Sequence, residues 1–477
     1  MKSARLKSFV LIIALIAATG AAMAYSTGAG KFWLSLLTAR PPVIAPAMEP
    51  GPVSLNGHLV QHKVLQGSDG RVNLALTLQA AEHFDSQANE ARNVDMIIVL
   101  DRSGSMKGPK ITDARQAVLH LLTSLTARDR FALITYSDRV QLVSGLKHAT
   151  VDHAKQLKSL VNGIIAGGGT HLSDGLQTGI DVIMAAPQIG NARKLILISD
   201  GLANKGITDS TRLGQMASVA VEEEFAISTV GVGNDFNEQL MTTIADHGAG
   251  NYYYLENAAA FAEVFQKEFF CTRATVATNV SISIPLSSGI SIADAAGYPI
   301  TVQKDHAVFY PGDLRAGQRR KFFLTLQVPT ATTRSFELGR IMAHYRFNGQ
   351  SMETTLDGSY KIACVRDERE VQASIDKPAW AQKVIQEDYN RLKQQVAADI
   401  KAGKKQNALQ RINSYYREQE SINAAVGSAE VAQNLNRDLK SLQQKVEDTF
   451  KGSPAAVSRK QKSHSKALQY EGYKGRR

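Results

Sequence analysis

Asp101, Ser103 and Ser105 stand at alternate positions directly after the apolar run Met96-Ile97-Ile98-Val99-Leu100. A carboxylate and two hydroxyls are poor core material there, but good hard-oxygen donors for a small divalent cation. Two later segments extend the set. Gly167-Gly168-Gly169-Thr170 brings a third hydroxyl on a loop whose glycines let the backbone approach closely. Leu195-Ile196-Leu197-Ile198-Ser199-Asp200-Gly201 ends a second apolar run in a second carboxylate. A donor set of oxygen alone favours Mg²⁺, Mn²⁺ or Ca²⁺ over zinc or copper. Mg²⁺ takes near-octahedral geometry at roughly 2.0–2.1 Å and keeps some of its waters. Three hydroxyls bound directly, and two carboxylates holding waters, would fill five positions. The sixth would suit an acidic side chain from a protein partner. Each residue also has an ordinary use when taken singly. Ser105 can cap a helix, and a strand-end Asp before Gly can make a turn. Nearby, His171 reads as a rim residue and Asp174 as outer support or a helix cap. Gly231-Val232-Gly233 follows a strand but lacks the rest of a dinucleotide fingerprint, so no nucleotide cofactor is expected.

The elements around these residues place them together. Residues 94–100 form a continuous apolar run, as a strand buried on both faces requires. Ile111, Ala114, Val118, Leu121, Leu122 and Leu125 then lie on one helical stripe. Buried-strand runs recur at 131–136, 194–199, 226–232 and 252–255. Helix-period segments separate them at 151–165, 172–184, 208–225, from about 237, and at 258–269. Such alternation predicts a doubly wound parallel α/β sheet. In that architecture ligands bind at the carboxyl ends of the strands, where Asp101 and Asp200 fall.

This segment resembles the von Willebrand factor type A domain, and Asp101, Ser103, Ser105, Thr170 and Asp200 match its metal-ion-dependent adhesion site without departure. The flanking Gly-Gly-Gly-Thr-His-Leu-Ser-Asp-Gly-Leu and Ile-Ser-Asp-Gly are similar to the family as well. The resemblance covers about residues 94–270. It implies divalent-metal-dependent protein binding without catalysis. More loosely, the chain is similar to inter-alpha-trypsin inhibitor heavy chains and to exported bacterial proteins that set this domain in β structure.

The remainder frames that domain. Lys2, Arg5 and Lys7 precede the apolar run 9–17 and the small-residue site Ala22-Met23-Ala24, which predicts a signal peptide over 1–24. The chain is therefore expected in the periplasm, the cell envelope or outside the cell, or anchored to a membrane if the leader is retained. A Pro-rich linker over 25–52 carries the apolar patch 32–37. Val72, Leu74, Leu76 and Leu78 alternate, and 53–92 reads as the first strands of a β-sandwich. Its other strands follow the α/β domain (93–270) and occupy 271–366, so the α/β domain is expected to be inserted. Residues 377–450 carry three helical stripes broken near Gly403 and Gly427. Residues 451–477 hold eight Lys/Arg against one acid and read as a disordered basic tail.

Net charge is +11, but it sits in the leader and the tail. The body is nearly neutral, which implies no nucleic-acid face. The tail also suits an anionic membrane, polyanion or cell-wall polymer. Cys271 and Cys364 are either a disulfide, adding about 4 to 5 kcal/mol at best for a loop of this length, or two separate thiols. Three functions compete. The first is an exported adhesion or scaffold module that captures a partner's Asp or Glu through its metal. The second is an envelope assembly protein in which the metal only stabilises the fold. The third is a metal-assisted hydrolase, for which no His or Glu has the spacing of a base and no Ser-His-Asp array is recognisable. The composition does not specify oligomeric state.

Overall fold

The computed structural model describes residues 51–82, 92–286 and 289–476. The expected leader, nearly all of the linker and the patch 32–37 lie outside the described residues. Among those described, no helix is long and apolar enough to cross a membrane.

Among the described residues, the first strands are β1 (Val53–Leu59), β2 (Lys63–Leu65) and β3 (Arg71–Ala80). The α/β domain follows. It runs β4 (Val94–Asp101), α1 (Pro109–Ser124), β5 (Arg130–Tyr136), β6 (Val140–His148), α2 (Val151–Asn162) and α3 (Leu172–Ala185). It continues with β7 (Ala192–Ser199), α4 (Ser210–Glu222), β8 (Ala226–Val232), α5 (Glu238–His247), β9 (Ala249–Leu255) and α6 (Phe261–Arg273). The sheet order is β6-β5-β4-β7-β8-β9. β4 pairs in parallel with both β5 and β7. Every residue of β4 is buried, and its side chains alternate between two cores. Met96, Ile98 and Leu100 pack with α1, α2 and α6. Ile97 and Val99 pack with α3, α4 and α5. That division is why the run reads as continuously apolar.

Two features depart from the expectation. The sheet is mixed, because β6 pairs antiparallel with β5 at its edge. β6 is largely exposed or half-buried, so it lacks the apolar run that marks the inner strands. The second departure is the basic tail, which is ordered. Pro454–Arg476 forms a helix, the last of the chain. Its apolar residues are few, but Leu468 and Tyr473 are each 2% exposed. Lys460, Lys462 and Lys466 pair with Asp448, Asp235 and Glu238. The buried Lys466–Glu238 pair and two anchors in separate cores hold what composition alone marks as solvated.

Strands on either side of the α/β domain share a sheet. β10 (Thr275–Pro285), β11 (Ser291–Ala295), β12 (Thr301–Gln303), β13 (His306–Phe309), β14 (Leu314–Arg315) and β15 (Arg319–Gln327) come first. β16 (Ser335–Leu338), β17 (Met342–Phe347), β18 (Gln350–Thr355) and β19 (Tyr360–Val365) complete the series. β15 pairs antiparallel with β3 from Arg319 opposite Gln79 to Gln327 opposite Arg71, so the α/β segment lies between two strands of one sheet. Val72, Leu74, Leu76 and Leu78 meet Ile282, Phe309 and Ala343 of the neighbouring sheet in one core. The opposite face of the β3–β15 pair, with Ala75 and Phe323, packs on the C-terminal helices. Cys271 and Cys364 are separate thiols, so of the two alternatives the structure has the unbonded one.

The helices are α7 (Glu368–Ala373), α8 (Lys377–Lys383), α9 (Tyr389–Lys401), α10 (Lys405–Val426), α11 (Ala429–Gln433), α12 (Leu439–Thr449) and α13, the helix of the tail. α8 runs into α9 through a π turn at Val384–Asp388. α13 lies against α9 and reaches the α/β domain. The rings of Tyr473 and Tyr470 meet Tyr252 of β9 edge-on, with centroids 5.4 and 5.7 Å apart.

If α13 is part of the core, Leu468→Ala should lower unfolding free energy by about 2–4 kcal/mol, the cost of a buried Leu truncation. Urea denaturation measures it. A change within about 0.5 kcal/mol, as for a solvated surface residue, would show that the tail is not packed.

Candidate functional site

The strand order reverses at β4. The chain steps from β4 to β5 on one side and returns to β7 on the other. The crevice between the carboxyl ends of β4 and β7 is therefore the switch point at which such sheets bind ligands. Asp101 is the last residue of β4, and Asp200 follows the last residue of β7.

The Asp101 carboxylate is buried and held from two directions. Its Oδ1 accepts from the Ser103 backbone N–H at 2.7 Å, and its Oδ2 accepts from Ser199 Oγ at 3.0 Å. Burial pushes this carboxyl up to about 6, with the nearby charge of Asp200 adding to the rise and the bonds from Ser103 and Ser199 opposing it. The loop after β4 makes one short turn at Gly104–Met106 before α1. Ser105 caps no helix; the residue before α1 is Gly108. Instead Ser105 Oγ donates to Asp200 Oδ1 at 2.7 Å and lies 3.0 Å from Ser103 Oγ.

Thr170 arrives on the glycine loop. The loop is tied to the first one by Gly104 N–H to Gly168 O at 2.9 Å and Gly167 N–H to Arg102 O at 2.7 Å. Gly168 has φ +87°, and a Cβ there would sit 2.4 Å from Asp138 Oδ2. Only glycine makes that approach without strain. Asp138 in turn accepts the Gly169 N–H at 2.9 Å, and Asn204 Oδ1 accepts the Thr170 N–H at 2.9 Å. The hydroxyls converge in front of Gly201. A Cβ at that glycine would lie 3.1 Å from Ser105 Oγ and 3.7 Å from Thr170 Oγ1.

All five expected residues are thus brought to one crevice. Asp101, Ser103, Thr170 and Asp200 are buried, and Ser105 is at the exposed mouth. His171 and Asp174 pair with each other, Nδ1 to Oδ2 at 2.9 Å. Asp174 is in the first turn of α3 and is not its cap, which corrects the capping role. Among the described residues, no cluster of three or more His, Cys, Asp or Glu is placed to hold a metal. The crevice instead offers two carboxylates and three hydroxyls.

The sequence reading missed four supporting residues. Ser199, Asp138 and Asn204 act through the bonds just given. Lys110, in the first turn of α1, places Nζ 2.5 Å from Asp200 Oδ2. That ammonium gives the fully buried Asp200 carboxylate an opposite charge at contact distance. Ser199 was readable as a strand-end hydroxyl beside Asp200. The reach of Lys110 was not, because it depends on how α1 leaves its loop.

Comparison with known proteins bears on the α/β domain and its fold. The family model of the von Willebrand factor type A domain matches residues 95–267. The chain is similar to the uncharacterized protein sll0103 of Synechocystis, 23% identical over 288 residues, 58% of this chain and 66% of that one. It is also similar to human inter-alpha-trypsin inhibitor heavy chain H1, 28% identical over 215 residues, 43% of this chain and 23% of that one. It therefore spans less than two thirds of either relative. Among solved structures, the von Willebrand factor type A protein from Catenulispora acidiphila superposes with a TM-score of 0.66. That match is 17% identical and covers 90% of this chain and 98% of the other, a likeness of fold that extends well beyond the α/β domain. Strand order and family model agree that the chain contains a von Willebrand factor type A domain at residues 95–267.

Proposed function

We propose that the crevice between β4 and β7 is a divalent-cation site through which an exported protein captures an Asp or Glu of a protein partner. The observation that carries this reading is the convergence of Ser103, Ser105, Thr170, Asp101 and Asp200 on one point, with an ammonium already drawn to Asp200. Mg²⁺, Mn²⁺ or Ca²⁺ is the class of ion such oxygens suit. Bound there, the ion would supply positive charge to a partner carboxylate.

The chain's own residues divide the work. Ser103, Ser105 and Thr170 present neutral oxygens, which leave a bound cation's charge largely uncompensated. Asp101 and Asp200 fix the depth of the site and are held in place by Ser199, the Ser103 N–H and Ser105. The exposed Ser105 marks the side open to a partner. The glycine loop, locked by Asp138 and Asn204, keeps Thr170 at the rim without a bulky neighbour. Export rests on the composition of the leader. With three tail lysines paired to acids of the same chain, the protein partner is favoured over a polyanion.

The test is capture of a partner from envelope extract. EDTA and Ser103→Ala should each abolish it, while circular dichroism of the variant stays that of the parent. Capture that persists without any divalent ion would contradict the reading.

Proton and metal compete for Asp101. A carboxyl pushed up to about 6 is charged above that pH and protonated below it, so a metal binding below pH 6 must first expel a proton. Affinity for Mn²⁺ should fall by about tenfold per pH unit below 6 and level off above it. Calorimetric titration at several pH values reads this directly.

A further inference from the structure

We propose that Lys110 is the protein's own counter-ion at this site, neutralising Asp200 when no divalent ion is there and being displaced when one binds. The inference rests on the cation-site reading above and adds a residue outside the five-oxygen set.

Three observations lead to it. Asp200 is fully buried, with side-chain exposure 0%. A buried carboxylate without a counter-charge is strongly unfavourable, so the metal-free domain needs a cation at that place. Lys110 supplies one, with Nζ 2.5 Å from Oδ2 while Oδ1 accepts from Ser105. Second, Lys110 stands in the first turn of α1. The positive end of the helix dipole makes that turn a poor place for a cation, and the Asp200 pair offsets the mismatch. Third, the lysine has somewhere to go. Its side chain is 30% exposed. Beside it stands Gly233, where a Cβ would be 3.5 Å from Nζ. Asp235, two residues on, lies within its electrostatic reach.

An ammonium on Asp200 repels a divalent ion at the same carboxylate, so the two compete for it. Removing the ammonium therefore acts in opposite directions on the two states. The metal-free protein loses the partner of a buried carboxylate, and the metal loses its competitor. A residue that merely supported the fold would weaken both states together.

The experiment compares Mn²⁺ affinity and Tm of the parent chain with Lys110→Met, and with Lys110→Gln as a second neutral variant in case the first does not fold. Each neutral variant should bind Mn²⁺ at least about tenfold more tightly than the parent, the effect expected on removing a unit charge at contact distance. Its metal-free Tm should drop, and saturating Mn²⁺ should restore it, giving a larger metal-induced shift than in the parent. Lys110→Arg, which keeps the charge, should stay close to the parent. Equal or weaker Mn²⁺ binding by the neutral variants would overturn the counter-ion role and leave the cation site standing. Absence of Mn²⁺ binding in parent and variants alike would overturn the cation site itself.

Discussion

Two carboxylates at the ends of adjacent parallel strands impose the central constraint on this molecule. Asp101 and Asp200 are both fully buried. Burial, with the nearby charge of Asp200 adding to it, raises the Asp101 carboxyl to about 6. A fold that buries like charges in this way must surround them with donors or cations. Ser199, the Ser103 N–H, Ser105 and Lys110 are the donors the chain provides. The strand order makes the juxtaposition unavoidable, because β4 and β7 are neighbours whose loops leave in opposite directions. The glycine loop then closes the third side, held by two backbone bonds to the first loop.

The rest of the chain stiffens this crevice from a distance. The buried pair of Lys194 with Glu268 and that of Arg130 with Asp95 tie the strands to one another and to α6 at the opposite end of the sheet. The β strands on either side of the α/β domain pair with each other, so both ends of the domain emerge from one rigid β framework. α13 lies along β9 and the start of α5. Lys466 donates to Phe236 O at 2.7 Å and pairs with Glu238 at 2.8 Å. Lys462 holds Asp235, close to Lys110. The segment between β8 and α5 thus has the crevice on one side and the last helix on the other.

Much of the site was legible in the sequence, and for a local reason. Asp101, Ser103 and Ser105 are contiguous with a strand whose burial on both faces leaves an unbroken apolar run. Asp200 ends another such run, and Thr170 follows three glycines. What was not legible depends on tertiary contacts. β6 is an edge strand with most of its side chains in or near solvent, so its residues carry no pattern. α13 looked solvated because its few apolar side chains are separated by lysines, and two of the acids that pair with them, Asp235 and Glu238, lie more than two hundred residues away. Lys110 is one lysine among many until the geometry of α1 brings it to Asp200.

The central claim is that these five oxygen-bearing side chains hold one divalent ion per chain. Electron paramagnetic resonance of Mn²⁺, titrated into the purified protein, tests it most directly. The account predicts saturation at one bound ion per chain in an all-oxygen environment, lost in Asp200→Asn and in Ser103→Ala. Binding that survives both substitutions, or that never saturates at one ion, would contradict it.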